Sequence, residues 1–258
     1  MLELNERQRE IIDLVKQQGF VAIEALSQHF NVTTQTIRRD INELCRHRLL
    51  RRFHGGAGLP SSVENVAYQA RQVMCLAEKR RIAAAVAAQI PDQASLFITL
   101  GTTTEEIAKA LKDHRGLRVI TNNLHVATMM SAYTDCEVIV AGGVMRARDH
   151  GITGESTVAF LKQFRADFGL IGISGIDDDG TLLEFDLQEV HVLQAVIANS
   201  RKVWLAADHT KFGRNALVRL AHLSEIDTLF TDQPPPPRLA ATLRDSGTQL
   251  VVAAETSL

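Results

Sequence analysis

Seven short apolar segments, most of them separated by stretches with helical character, recur from residue 95 onward in this 258-residue chain. They are residues 95–99, 117–121, 137–141, 167–173, 202–207, 227–231 and 249–253. Strands that alternate with helices predict a parallel sheet covered on both faces. Ligands of such sheets bind beyond the carboxyl ends of the strands. We therefore expect an α/β domain whose binding site lies in the loops that follow these segments.

The first 58 residues have a different pattern. Apolar residues at helical spacing predict a helix over 6–18, and a second short helix fits 23–30. Residues 31–32 form a turn before a third helix. Residues 49–59 (LLRRFHGGAGL) then have the strand and turn signals of a β-hairpin. Together these elements predict a small winged helix-turn-helix domain.

The third helix has two distinct faces. Thr33 or Thr34 supplies its N-cap, and Ile37, Ile41 and Leu44 form one apolar stripe. The other face is polar and carries Gln35, Arg38, Arg39 and Asn42. We expect the stripe to be buried and the polar face to meet solvent or a partner.

Positive charge is concentrated around this helix. The whole chain has a formal net charge of −2, but residues 1–58 hold nine Lys/Arg against seven Asp/Glu. Within 38–54 there are six arginines against Asp40 and Glu43. The local excess points to a polyanionic partner that the whole-chain charge conceals.

Double-stranded DNA is the partner that this geometry predicts. The third helix of a winged helix enters the major groove, where Gln35 and Thr36 suit base edges, and Arg38 and Arg39 suit guanine or phosphate. The full predicted DNA-binding set is Thr33, Thr34, Gln35, Thr36, Arg38, Arg39, Asn42, Arg51, Arg52 and His54. A solvated helix face and a polar hairpin are the competing interpretation. It is disfavoured because stripe, turn, cap and basic hairpin agree with one another.

The loop GTTTEE (101–106) is the first candidate for a ligand site in the α/β domain. It follows a strand and opens a helix, so backbone N–H groups and the hydroxyls of Thr102, Thr103 and Thr104 beside Gly101 could bind an anion. A plain helix cap explains this loop equally well. Lys211 and Arg214, in a later loop, could supply cations for the same anion.

Three further residues complete the predicted ligand set. Asp177 and Glu189 are candidates for sugar or polyol hydroxyls, and Asn122 lies in another loop after a strand. For the run of aspartates at 177–179, a surface turn is the competing interpretation for two of the three.

These residues also resemble a known family. The spacing of the DeoR-family helix-turn-helix signature is matched by Arg7, Ile11, Val15, Thr33, Thr36, Ile37, Arg38, Arg39, Asp40 and Ile41, and HGGA (54–57) is similar to that family's wing. The resemblance continues almost to the C-terminus. It implies a repressor that releases its operators on binding a phosphorylated sugar-like metabolite, and a sensor domain similar in fold to ribose-5-phosphate isomerase.

Three segments narrow the implied effector. In GISGIDDDGTLLEFD, DHTKFGRNA and TDQPPPP the chain is similar to family members that control glycerol metabolism. The resemblance implies glycerol 3-phosphate as effector and a tetramer, while the two-fold symmetry of operators requires at least a dimer. A repressor of another sugar-phosphate pathway stays the alternative.

An isomerase-like enzyme is the competing function. Relative to the isomerase, GTTTEE lies where substrate is held, Lys211 where phosphate is held, and Glu189 could match one acid. Proton transfer needs a positioned carboxylate, but Ser174 replaces the first acid of the isomerase loop, and TLLEFD replaces its glycine-rich lysine loop. Binding without turnover is therefore favoured. A general DNA-architectural protein fits poorly, because such proteins rarely carry a large α/β domain.

The sequence also predicts the organisation of the chain. We expect the DNA-binding domain over 1–58, a linker and connecting helix over 59–90 with the helix at 67–90, and the sensor domain over 91–258. The polar N-terminus and the absence of a long apolar run predict a cytoplasmic protein. Three cysteines without C-x-x-C spacing give no sign of a metal site, and we expect no cofactor.

Overall fold

A computed structural model describes residues 4–18, 20–47, 49–53, 55–58, 65–66 and 68–253. The chain divides into two compact units, Met1–Cys75 and Leu76–Leu258. Within the described ranges, no helix has both the length and the apolar character needed to cross a membrane.

The first unit combines helices with a small sheet. In chain order its elements are α1 (Glu6–Gln18), β1 (Phe20–Ala22), α2 (Ile23–His29), α3 (Thr34–Arg46), β2 (Arg51–Phe53), β3 (Gly56–Gly58) and α4 (Tyr68–Val73). The strands are antiparallel and lie in the order β1-β3-β2. The predicted winged helix-turn-helix is confirmed.

The predicted apolar stripe of α3 forms the core of this unit. Ile37, Ile41 and Leu44 are at most 1% exposed and pack with Val15 and Leu26. Burying three large aliphatic side chains contributes on the order of 5 kcal/mol to holding α3 in one rotation. The polar face of α3 is therefore turned outward.

Strand β1 was not predicted. Its three residues are too few to show an alternating pattern, and its partner β3 lies more than thirty residues later in the chain. The strand covers the inner edge of the hairpin and turns the predicted two strands into a three-stranded sheet.

The second unit alternates strands and helices. Its helices are α5 (Leu76–Ala87), α6 (Thr102–Ala110), α7 (Leu124–Met130), α8 (Glu155–Leu161), α9 (Leu187–Ala198) and α10 (Pro237–Ser246). Its strands are β4 (Ser95–Ile98), β5 (Leu117–Thr121), β6 (Cys136–Val140), β7 (Val144–Met145), β8 (Ile152–Thr153), β9 (Ala166–Ile171), β10 (Gly175–Ile176), β11 (Thr181–Glu184), β12 (Ser200–Ala206), β13 (Val218–His222), β14 (Thr228–Thr231) and β15 (Gln249–Val252).

All seven predicted strands are present and form one parallel sheet in the order β15-β14-β12-β9-β4-β5-β6. Two apolar cores cover its faces. One core contains residues of α5, α6 and α7, and the other contains residues of α8, α9 and α10. The predicted α/β class is confirmed. Because the strands are parallel, their carboxyl ends meet at one edge of the sheet.

Two small antiparallel sheets were not predicted. Strand β7 pairs with β8, and β11 lies between β10 and β13. Both sheets lie in connections that follow main-sheet strands, and their strands of two to five residues are too short to show a clear alternating pattern. They fold the predicted loops into ordered structure.

The single helix predicted over 67–90 is wrong. Helix α4 ends at Val73 and α5 begins at Leu76, and Cys75 between them has a φ of 51°. A left-handed residue cannot continue a right-handed helix. Helix α5 belongs to the second unit, so the structural division falls after Cys75 rather than at residue 90. Of the linker predicted between Leu59 and about Asn65, residues 59–64 lie outside the described residues.

Candidate functional site

The outward face of α3 is the candidate DNA-binding surface of the first unit. Gln35, Arg38, Arg39 and Asn42 are all exposed, opposite the buried stripe. Among the described residues, neither Arg38 nor Arg39 forms an ion pair or a hydrogen bond through its guanidinium group. Both cations therefore extend into solvent from a helix whose rotation is fixed by its core.

The N-cap of α3, left between two threonines by the sequence, is Thr33. Its Oγ1 accepts a hydrogen bond from the Thr36 backbone N at 3.3 Å, and the two hydroxyl oxygens lie 3.0 Å apart. The cap thus gives both predicted DNA-binding hydroxyls an internal partner, while Thr34 is half-buried. Gln35 is the exposed side chain of this first turn.

Acidic residues of the basic stretch are directed inward. The carboxylate of Asp40 is 2.6 Å from Arg7 Nε and 3.4 Å from Gln8 Nε2. Gln8 also donates to Glu43 at 3.0 Å. These bonds join α1 to α3 and direct both carboxylates toward α1. The solvent side of α3 is therefore more positive than the residue count suggests.

The hairpin presents its two predicted arginines differently. Arg52 is exposed, and its Nη1 donates to Asn42 Oδ1 at 2.8 Å. Arg51 is half-buried, with its guanidinium carbon 5.9 Å from the centre of the Phe53 ring, and burial lowers its pKa. Arg52 is therefore the better placed of the two to reach a phosphate. The predicted residue His54 lies outside the described residues.

In the second unit, two helices begin at the carboxyl edge of the sheet on the same face. Helix α6 follows β4 at Gly101, and α5 is joined to α6 by an ion pair between Arg80 Nε and Glu106 Oε2, which are 3.4 Å apart. Gly101 has a φ of 145°, which favours glycine. The start of α5 and the start of α6 therefore form one wall of this edge.

The predicted threonines of GTTTEE are buried. Thr104 Oγ1 donates to the carbonyl oxygens of Thr99 and Gly101 at 2.8 and 2.7 Å, so it fixes the turn into α6. Thr102 and Thr103 occupy the first turn, where the unpaired N–H groups of a nine-residue helix attract anions. The helix-cap interpretation applies to Thr104.

A buried carboxylate between two lysines lies at the end of β12. Asp208 Oδ2 is 3.6 Å from Lys211 Nζ, and its Oδ1 accepts hydrogen bonds from the Thr210 hydroxyl and backbone N. Burial alone would raise the pKa of Asp208, but Lys211, Thr210 and Lys79 lower it to about 2. Lys79 belongs to the first turn of α5 and is 2% exposed. Lys211 and Lys79 thus both interact with Asp208, and Lys79 lies on a helix that packs against α6.

His209 is fixed next to this pair. Its backbone N and its Nδ1 are each 2.7 Å from a carboxylate oxygen of Asp232, which follows β14. The hydrogen bond to Asp232 raises the pKa of His209, although burial opposes the shift. The ring is held at the same edge of the sheet as Lys211.

Arg214 serves as an internal cross-link. It is 5% exposed, its Nη1 donates to the Ser174 carbonyl at 3.1 Å, and its guanidinium carbon is 5.0 Å from the centre of the Phe185 ring. Ser174 Oγ in turn donates to the buried Glu184 at 2.7 Å. Arg214 therefore holds the loops after β9 and β11 together.

Glu189, one of the two predicted hydroxyl-binding residues, is bound to an arginine. Glu189 accepts a hydrogen bond from Arg146 at 2.9 Å, and the same guanidinium binds Asp149 and Asp186. Burial would lower the pKa of Arg146, but Glu189, Asp149 and Asp186 raise it above its usual value. Glu189 thus ties α9 to the loop before β8.

The two remaining residues of the predicted ligand set, Asn122 and Asp177, have different surroundings. Asn122 is buried, and its Nδ2 donates to the Ile152 carbonyl at 2.9 Å. Asp177 is exposed in the turn between β10 and β11, where its Oδ1 accepts from the Asp178 backbone N. It stays near the cationic loop, because Gly213 N donates to the Ile176 carbonyl at 2.8 Å. None of these contacts tests the predicted ligand roles, which remain predictions.

Several site residues were missed by the sequence analysis. They lie on three separate segments and are Lys79, Asp208, His209 and Asp232. Asp208 and His209 belong to DHTKFGRNA and Asp232 to TDQPPPP, which were noted for their family resemblance and not as site residues. A lysine in an Ala-rich helix gave no signal of its own. A depression of about 670 Å³ is also present, but it lies at the opposite edge, where β4, β5, β6 and β9 begin.

Comparison with known proteins decides the family. A sequence model of the DeoR-like helix-turn-helix domain matches residues 7–63, and a model of the DeoR C terminal sensor domain matches residues 74–233. The chain belongs to the DeoR family of transcriptional regulators. The DNA-binding fold of the first unit and the parallel sheet of the second are the two halves of this family's architecture.

Relatives in the family match nearly the whole chain. The glycerol-3-phosphate regulon repressor of Escherichia coli is 51% identical over 96% of this chain and 99% of its own length. That of Haemophilus influenzae is 47% identical over 95% of this chain and 96% of its own. The HTH-type transcriptional repressor CsqR of Escherichia coli is 41% identical over 97% of this chain and 96% of its own.

Likeness to enzymes is much weaker. Ribose 5-phosphate isomerase A of Neisseria gonorrhoeae has a TM-score of 0.37 and 14% identity, covering 52% of each chain. The DeoR relatives are transcriptional repressors, and this chain is a regulator rather than an isomerase. The prediction of a transcriptional regulator over an enzyme is thereby confirmed.

Proposed function

We propose that this DeoR-family protein is a cytoplasmic transcriptional repressor that binds operator DNA as a homo-oligomer. The observation that carries the proposal is the outward face of α3, where Gln35, Arg38, Arg39 and Asn42 stand on a rigid helix. Amide and guanidinium groups in that position match base edges and phosphates of the major groove. The acidic residues of the same stretch are bound internally, so they do not oppose the approach of DNA.

We further propose that a small phosphorylated polyol, glycerol 3-phosphate before others, releases the operator. Lys79, Lys211 and the first turn of α6 support a phosphate site at the carboxyl edge of the sheet. The names of the two glycerol-3-phosphate regulon repressors among the relatives favour this effector. Glycerol itself should release poorly, because it brings no charge to the two lysines.

The DNA geometry supports at least a dimer, and the family resemblance implies a tetramer. One winged helix covers a half-site, and two-fold operators pair with two-fold proteins. Light scattering at micromolar concentration should therefore give a mass at least twice 28.4 kDa, alone or on DNA. A protein that is monomeric in both conditions would contradict this part of the proposal.

The decisive experiment is a competition titration. Operator affinity is measured by fluorescence anisotropy while glycerol 3-phosphate, ribose 5-phosphate, fructose 6-phosphate, inorganic phosphate and glycerol are each added. We expect glycerol 3-phosphate to release the operator at the lowest concentration and, by linkage, the operator to weaken effector binding by the same factor. Stronger release by a sugar phosphate would favour a repressor of another sugar-phosphate pathway. Equal affinity for operator and random DNA would contradict the repressor itself.

A further inference from the structure

The imidazole of His209 is built into the proposed effector site without having been assigned a role there. It follows Asp208 directly, at the carboxyl end of β12. Asp232, whose side chain is fully buried, fixes it through two bonds of 2.7 Å, one to the backbone N and one to Nδ1. The same carboxylate thus binds the backbone and the ring of His209, which sets the orientation of the imidazole.

The charged groups around His209 and its neighbour Asp208 come from three elements of the second unit. Asp208 and Lys211 belong to its own loop, Asp232 to the end of β14, and Glu78 and Lys79 to the first turn of α5. With neutral His209 the three carboxylates outnumber the two lysines by one. With protonated His209 the charges balance. The protonation state of one side chain therefore decides whether the cluster is net negative or neutral toward an incoming anion.

We propose that His209 is a third, proton-dependent cation of the effector site, so that binding of a phosphorylated effector is coupled to uptake of a proton at this ring. The inference rests on the proposed function, because it needs an anion bound beside Lys79 and Lys211. Its physical basis is reciprocal. A bound phosphate favours the imidazolium, and the imidazolium favours bound phosphate.

The direction of the pH dependence follows from the ring's environment. Asp232 raises the pKa of His209, so the ring keeps its proton to a higher pH than a free imidazole does. The ring loses its charge as the pH rises through this raised pKa. Effector affinity should therefore fall as the solution becomes more basic. Phosphate monoesters also titrate, with a second pKa near about 6, and they gain charge over the same range. The contribution of His209 must be separated from that of the ligand.

Calorimetric titration of the full chain with glycerol 3-phosphate between pH 6 and pH 8 makes this separation. The parent is compared with His209→Gln, which keeps a donor for Asp232 but cannot titrate, and with His191→Gln, an exposed histidine of α9 on the opposite face. The ligand's own ionisation is common to all three proteins and cancels in the ratios. We expect the ratio of parent affinity to His209→Gln affinity to fall on the order of fivefold between pH 6 and pH 8. His191→Gln should follow the parent.

Proton uptake gives a second measurement. Binding enthalpies at pH 7 in two buffers of different ionisation enthalpy should show more protons taken up by the parent than by His209→Gln. Asp232→Asn, if His209→Gln does not fold, should move the pH dependence toward lower pH because the ring loses its partner. Equal pH dependence and equal proton uptake in parent and His209→Gln would overturn the inference while leaving the effector site intact. Absence of glycerol 3-phosphate binding by the parent at every pH would overturn both.

Discussion

Arg52 of the hairpin donates a hydrogen bond to Asn42 of α3, with 2.8 Å between Nη1 and Oδ1. Both side chains are exposed, and both were predicted to contact DNA from different elements. The bond joins the hairpin to α3. In the proposed complex it holds both side chains in position before DNA binds, which reduces the ordering cost of binding.

Arg52→Ala should weaken binding to operator and to random DNA by similar factors. The reason is that a phosphate contact carries no sequence information, and its loss should make the salt dependence of affinity shallower by about one ion. Anisotropy titrations at several salt concentrations measure both quantities. Arg51→Ala should show the same slope change with an added loss of thermal stability, since its guanidinium packs over Phe53. An unchanged slope in both variants would place the wing away from the backbone.

Arg38→Ala should weaken operator binding more than random-sequence binding, by roughly 1–3 kcal/mol if the guanidinium reads a guanine. Its side chain leaves the exposed face of a helix that is fixed by Ile37 and Ile41 on the other side. The matched control is Arg9→Ala, an exposed arginine of α1. Equal losses on both DNAs would reassign Arg38 to phosphate.

Lys211→Ala should bind operator normally and no longer respond to glycerol 3-phosphate. The same outcome is expected for Lys79→Met, which retains most of the buried volume of that side chain. Lys162→Ala, at an exposed lysine directly after α8 on the other face of the sheet, is the control and should respond like the parent. If calorimetry finds glycerol 3-phosphate bound to Lys211→Ala as tightly as to the parent, the pocket lies elsewhere.

Asp208→Asn should lower the free energy of unfolding at neutral pH. A carboxylate whose pKa drops from 3.8 to about 2 on folding contributes about 2 kcal/mol above both values. Since the folded pKa is depressed, this contribution is complete above about pH 4 and disappears as pH falls toward about 2. Urea unfolding across that window should show the gap between parent and variant closing. Asp113→Asn, at an exposed site, should show no such gap.

The elements that could be predicted are those with a clear pattern of apolar residues. Each of the seven main strands is a short apolar run, so each could be predicted from its own residues. The stripe of Ile37, Ile41 and Leu44 was legible for the same reason. In contrast, β1 and the short sheets exist through pairing with distant segments. The break at Cys75 rests on one backbone angle in a chain that otherwise favours helix.

Only part of the candidate effector site could be predicted from the sequence. GTTTEE and Lys211 stand out because they follow strands. Lys79 lies in an Ala-rich helix of ordinary composition, and Asp232 lies in TDQPPPP, a segment noted for its family resemblance and not as a site. Glu189 was chosen by its position after a strand, yet it is bound to Arg146. Pairing between side chains is decided by tertiary contacts, which no local pattern encodes.

Helix α5 gives the sensor unit a natural starting point. Ile82, Ala83 and Val86 of this helix are at most 1% exposed and fill the core on one face of the sheet. A fragment cut at Pro91 would therefore lose a wall of its interior together with Lys79, and both folding and effector recognition would fail at once. A cut before Leu76 keeps the helix. Isolation of the sensor for crystallisation or ligand screening accordingly begins upstream of that residue.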